Sequence, residues 1–104
     1  MRVNFNQTFK DYRGNDLLVN GRPQIMGHIV AQCLFNGDGV KPSGNPMKDN
    51  ARKLISYTLC NRIMQAEGPI SLTVEEAVIV KEAVQSLTPG CYAQIILLIE
   101  PLEQ

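Results

Sequence analysis

The chain has no surplus of either charge. Its 104 residues carry ten Lys and Arg against ten Asp and Glu. That balance weighs against non-specific nucleic-acid binding, which draws on an excess of Lys and Arg, and equally against an acidic mimic of nucleic acid. Cysteine is scarce. Cys33, Cys60 and Cys91 lie far apart, so there is no CxxC pair and no zinc-ligand spacing. An odd count with apolar neighbours points to reduced, buried thiols in a cytosolic protein. Long apolar runs are missing too. The longest, Ile95 to Ile99, is far too short to span a bilayer, and Met1 to Phe5 shows no signal-peptide core. The expectation is a soluble, cytoplasmic chain of one domain, residues 1–104.

Catalytic groups are equally sparse. His28 is the only histidine. It lies among Ile25, Met26, Ile29 and Val30 on a helical pattern, where a structural or solvated role is the ordinary one. Cys91 falls in the first turn of a helix, where the dipole favours a thiolate, yet nothing in the spacing supplies it with a base. Glu75 and Glu76 are adjacent and so diverge on a helix. No carboxylate–histidine cluster suggests a metal. The reading is a non-enzyme with no cofactor, no catalytic residue and no metal ligand.

Local structure is more legible. Val3, Phe5 and Phe9 alternate with Asn4 and Asn6 in a strand pattern from residue 2 to residue 9. Lys10 to Asn15 supplies turn chemistry, and Leu17 to Val19 reads as the returning strand. The product is an N-terminal β-hairpin, which is marginal alone and must pack on helices. Asn20-Gly21 adds a further turn signal. Pro23 suits a helix's first turn, and Ile25, Met26, Ile29, Val30, Cys33 and Leu34 make one apolar face over 23–35. Asn36-Gly37 is a C-cap signal.

Residues 36–46 hold three glycines and two prolines, which rules out regular structure. A second helix is expected over 47–66, with Ala51, Leu54, Ile55, Leu59, Ile63 and Ala66 on one face. Gly68-Pro69 stops it, and Ile70 to Leu72 can add a short third strand beside the hairpin. Thr73 and Glu76 form a capping box at the head of a third helix over 74–87, with Leu72 and Ala77 as staple. Thr88-Pro89 starts a fourth helix. Tyr92 to Ile99 is apolar almost all round, as in a helix buried centrally or between subunits. A strand competes there, since Tyr92, Ile95, Ile96 and Ile99 favour β; the start signal favours helix. Pro101 ends it. The fold class is α+β, an N-terminal hairpin packed on about four helices.

Two stretches qualify as binding sites. The hairpin tip holds Lys10, Asp11, Tyr12 and Arg13. Tyr and Arg are enriched at interface hot spots, so this tip is the expected protein-binding site. The loop 36–46 is the alternative, a small-ligand or nucleotide site with Asp38 and Lys41 as handles and Lys48 and Arg52 nearby. It lacks the order of a phosphate loop, and its oxygen ligands stop too early for calcium. A nucleic-acid regulator would need Arg52, Lys53 and Arg62 on one basic face.

The pattern resembles small uncharacterised proteins encoded by tailed phages and prophages. The carrying residues are Phe9-Lys10-Asp11 with Gly14, Ala66-Glu67-Gly68 after a helix, and Leu72-Thr73-Val74-Glu75-Glu76-Ala77 entering the next. The resemblance implies expression in the host bacterial cytoplasm and action by binding. The expected function is therefore a phage-type protein–protein interaction module. Its partner would be a phage or host protein, or a second copy of the chain across the apolar fourth helix.

Overall fold

A computed structural model describes residues 1–100. In chain order the elements are β1 (Arg2–Val3), β2 (Leu18–Val19), β3 (Arg22–Pro23), α1 (Met26–Asn36), α2 (Pro46–Gln65), β4 (Ile70–Ser71), α3 (Val74–Ala83) and α4 (Pro89–Ile99). Two small antiparallel sheets result, β1 with β4 and β2 with β3. The α+β class with an N-terminal hairpin and four helices is as the sequence indicates.

The hairpin's construction differs from the expected one. Only Arg2–Val3 is strand within residues 2–9, and it pairs with β4 rather than with the returning segment. The hairpin proper is β2–β3, closed by Asn20 (φ 53°) and Gly21 (φ 78°), the two positive φ values of a tight hairpin turn. A looser turn precedes it, where Leu17 N–H donates to the Phe9 carbonyl at 2.9 Å and Lys10 bridges to Asp16. Pro23 accordingly sits in β3, not in a helix. A strand only two residues long and exposed has no ladder for the missing N–H to interrupt.

α1 starts three residues later than expected, and the reason is tertiary. Its N-cap, Ile25, offers no side-chain acceptor. The first helical N–H groups, on Met26 and Gly27, donate instead to the carbonyls of Gln7 and Phe5 at 2.8 and 2.9 Å. Those carbonyls satisfy donors that a capping side chain would otherwise serve. A side chain at Gly27 would press on the Phe5 carbonyl and on Ile63. Gly37 ends α1 in the left-handed conformation, φ 71°, as the sequence indicates.

α2 is capped by Asn45, whose Oδ1 accepts from the N–H groups of Met47 and Lys48, with Pro46 at the first position. α3 has the expected capping box. Thr73 Oγ1 accepts from Glu76 N–H at 3.1 Å and Glu76 Oε1 from Thr73 N–H at 2.9 Å. It stops at Ala83, and Val84 to Leu87 form a turn rather than the last helical turn expected. Residues 89–99 are helix, which resolves the helix–strand competition; Pro101 lies outside the described residues.

The core gathers Phe9, Val30, Leu59, Val80, Val84 and Ile95, all wholly buried. It sits where α1 packs along α2, with α3 and α4 closing it and Val3, Phe5 and Phe9 of the N-terminal segment filling it from the side. On α2 the buried face is Ser56, Leu59, Cys60 and Ile63, with Ile55 packed against them. Ala51 and Leu54, expected on that face, point to solvent, Leu54 at 70% exposure. Their place on the inner side is taken by Ser56 and Cys60.

Candidate functional site

The looser turn of residues 10–16, the tip of the hairpin expected from the sequence, is held from within. Asp11 Oδ1 accepts from the N–H groups of Arg13 and Asn15 at 2.8 and 3.1 Å. The Asp11 N–H reaches the Asn15 carbonyl at 2.7 Å, and Gly14 takes φ 85°. Lys10 Nζ pairs with Asp16 at 2.5 Å, and that hydrogen bond, with one from Thr8, holds the Asp16 carboxyl below the usual carboxylate range. From outside, the Gln94 amide of α4 grips the Lys10 backbone, its Oε1 accepting from the N–H and its Nε2 donating to the carbonyl, each at 2.8 Å.

Lys10 and Asp11 therefore build the turn, and Tyr12 and Arg13 are what it presents. Tyr12 is 91% exposed. Arg13 lies over its ring, 5.4 Å from the centroid, with Nε donating to the phenol oxygen at 3.1 Å. The arrangement is an aromatic–cation pair already set on a fixed loop, so binding would lose little side-chain freedom.

The loop after α1 is ordered as well. Ser43 donates from N–H and hydroxyl to the Asp49 carboxylate, and these bonds hold the Asp49 carboxyl low. Gly39, at φ 71°, lies so close to α3 that a Cβ would run into the Glu82 carbonyl oxygen. Between this loop and α2 opens a groove of about 420 Å³, walled by Phe35, Val40, Pro42 and Tyr57, with Lys41 and Lys53 among its lining residues. That volume is within the range of small-molecule sites. The Phe35 and Tyr57 rings stand 6.4 Å apart, tilted by 49°.

The chain matches no family model, no curated protein and no solved structure. What it can do must be read from its own groups.

Of the two loop residues expected as ligand handles, Lys41 lines the groove and Asp38 does not. Asp38 lies instead beside Cys33, where burial first, and then the Asp38 charge and hydrogen bond, push the thiol's pKa up. Arg52 also lines the groove, but its Nη1 is committed to Glu82 Oε2 at 2.7 Å, while its Nε and Nη2 are buried without a partner. Arg62 is paired with Glu76 at 2.5 Å. Arg52, Lys53 and Arg62 thus do not share one basic face. At about 100° per residue they point in divergent directions around α2, and α3 carboxylates neutralise two of them.

The remaining candidates are bland. His28 is exposed, beside a hollow of about 40 Å³ that holds little more than water. Cys33 and Cys60 are buried, and burial raises the Cys60 pKa too. Cys91 is half-buried. Among the described residues no three His, Cys, Asp or Glu side chains gather as a metal site would need, and no helix is long and apolar enough to cross a membrane.

One feature was not visible from the sequence as a site. α2 exposes Met47, Leu54, Tyr57 and Met64, at 83, 70, 54 and 51%. The available signal was their 7, 3 and 7 spacing, masked by the second apolar set interleaved with it. α4, the expected subunit contact, buries Ile95 and Ile99 in the chain's own core and exposes only Tyr92 and Leu97 among its large apolar side chains, at 37 and 42%.

Proposed function

We propose that this protein is a non-enzymatic protein-binding module that recognises its partner through the turn at residues 10–16. Tyr12 and Arg13 are the contact pair, and Lys10 and Asp11 the residues that hold them in place. One observation carries this reading: a tyrosine 91% exposed, with an arginine already docked on its ring, at the end of a turn fixed by Asp11 and Gln94. An exposed aromatic on a rigid support is the kind of anchor that dominates interface energies. The resemblance to small tailed-phage proteins adds the setting: the host bacterial cytoplasm, with an assembly component or a host protein inactivated by occupation as the partner.

The test is affinity capture from host lysate with wild-type bait and a Tyr12→Ala, Arg13→Ala double variant, followed by measurement of the purified pair. Loss of at least tenfold in affinity with an unchanged melting temperature is the expected result. Equal affinity for both baits contradicts it.

The groove favours a second reading, a small anionic ligand seated between Phe35 and Tyr57 and held by Lys41. A ligand that binds only the folded state raises its melting temperature. A thermal-shift series with nucleotides on wild type and Lys41→Ala tests it, and no shift at millimolar nucleotide counts against it.

A further inference from the structure

Arg52 carries two donors that the rest of the chain leaves unused. Its guanidinium is planar, and each nitrogen has a set direction. Nη1 is bound to Glu82 Oε2 of α3 at 2.7 Å. Nε and Nη2 are closed to solvent and have no partner in the protein. Together they make the edge of the guanidinium that lies opposite Nη1. Their N–H groups run parallel there, spaced to take both oxygens of one carboxylate. Since Nη1 points at Glu82, this edge faces away from it. Arg52 lines the groove beside α2 and Glu82 does not, so the free edge belongs to the groove side.

Buried donors without an acceptor are uncommon and cost a fold stability. Here the pair is also held in place. The bond to Glu82 removes much of the side-chain freedom that binding would otherwise take away.

Charge and shape describe the acceptor. Lys41, Arg52 and Lys53 line the groove, with Asp49 as the one carboxylate among them. Asp49 is occupied by the Ser43 N–H and hydroxyl. With Glu82 included, three cations face two carboxylates, which leaves one positive charge. That balance suits a monoanion better than a di- or triphosphate. The apolar walls are Phe35, Val40, Pro42 and Tyr57. The tilted rings of Phe35 and Tyr57 offer the edge-on and offset contacts that another ring favours. On the footing that the groove is a ligand site, we propose that it takes a small aromatic carboxylate. Arg52 holds the carboxylate through Nε and Nη2 together, and the ring rests against Phe35 and Tyr57.

The loop completes the site. The two nitrogens have no free surface, so one wall yields as the carboxylate enters. α1 and α2 pack along each other. The stretch from Gly37 to Gly44, bounded by glycines at φ 71° and 87°, is the wall without regular structure. Gly39 lies against the Glu82 backbone carbonyl, so the residue that holds Arg52 also seats the loop. Lys41, on that loop, supplies a second positive charge to the carboxylate.

Indole-3-acetate and its uncharged amide are the probes, titrated into isotope-labelled protein. The readout is the Arg52 Nε–H resonance, assigned by its loss in Arg52→Lys, together with the Val40 and Lys41 amides. The acid should move all three saturably, and the amide should bind roughly tenfold more weakly or worse. Arg52→Lys keeps the charge but loses the fork, and should weaken the acid by about tenfold. If that variant does not fold, the acid–amide comparison on wild type decides alone. An Arg52 resonance that stays in place while the acid saturates, or an amide that binds as well as the acid, overturns the proposal. So does an acid that fails to bind at about 5 mM, a concentration at which even millimolar affinity registers. Adenosine monophosphate then separates the two failures. If it binds, the groove is an anion site of another class; if it does not, the groove reading falls as well.

Discussion

Glu76 joins two helices with one carboxylate. Its Oε1 accepts from the Thr73 N–H at the head of α3, and its Oε2 meets Arg62 Nη1 of α2 at 2.5 Å. Arg62 in turn reaches the Ser71 carbonyl in β4. The capping box legible in the sequence is therefore also the clasp between α2, β4 and α3. Burial acts to raise the Glu76 pKa, but the Thr73 N–H and the Arg62 guanidinium together outweigh it and hold the carboxyl low.

A lowered folded-state pKa makes a carboxylate stabilising above its unfolded value, and that contribution is lost as pH falls through the folded value. Acidification from about pH 5 to about pH 3 should therefore lower the melting temperature, and Glu76→Gln should flatten part of that slope. Asp16 and Asp49, held low by their own hydrogen bonds, keep the rest. At neutral pH, Glu76→Ala should cost about 1–2 kcal/mol, mostly as a lost cap, because the partly exposed ion pair adds little. Thermal melts across pH check both. An unchanged acid slope in Glu76→Gln would remove the clasp from the account.

Gly39 and Gly14 both take positive φ, 71° and 85°, but only Gly39 is crowded. Alanine at Gly14 meets nothing and should cost about 1 kcal/mol for the backbone alone. Alanine at Gly39 adds an overlap with the Glu82 carbonyl and must push the loop off α3, so it should cost about 2–3 kcal/mol. Chemical denaturation of the two variants measures the difference. Equal losses would mean that the loop does not dock on α3.

Gln94→Ala removes both bonds that tie the Lys10 backbone to α4. The expected loss is about 1–2 kcal/mol, with faster hydrogen exchange at the Lys10 amide and at Asp11 while the α2 core stays protected. Exchange that accelerates everywhere at once would show a global effect instead of a loosened tip.

The three thiols should separate by reactivity. Cys91, half-buried, should react first with a thiol reagent, whereas Cys33 and Cys60, buried with raised pKa values, should react only on unfolding. Counting labelled thiols over time decides it, and early modification of Cys33 would contradict the packing of α1.

What could be read in advance was what depends on neighbours in sequence. Thr73 with Glu76, Gly37 as a cap and Thr88-Pro89 as a start are local signals, and they place helix ends within a few residues. The strands were less legible because they are two residues long and β1 finds its partner 69 residues away, Arg2 opposite Ser71. Pro23 misled because its fixed φ suits both a helix start and an edge strand, and only the Phe5 and Gln7 carbonyls determine where α1 begins. On α2 the periodicity is ambiguous in itself. Leu54 and Ile55 are adjacent, both fit an apolar stripe, and tertiary packing alone selects Ile55 for the inside. Of the candidate site, Tyr12 and Arg13 are exposed together on one turn, whereas of Asp38 and Lys41 only Lys41 lines the groove, the loop between them turning at Gly39, φ 71°.

The fixed turn at residues 10–16 is proposed to bind a protein partner through Tyr12 and Arg13. Dissociation of captured partner from immobilised bait, wild type against the Tyr12→Ala, Arg13→Ala variant, is the decisive measurement. Slow release from wild type and no measurable retention on the tip variant are the expected result. Retention on the tip variant equal to wild type would contradict it.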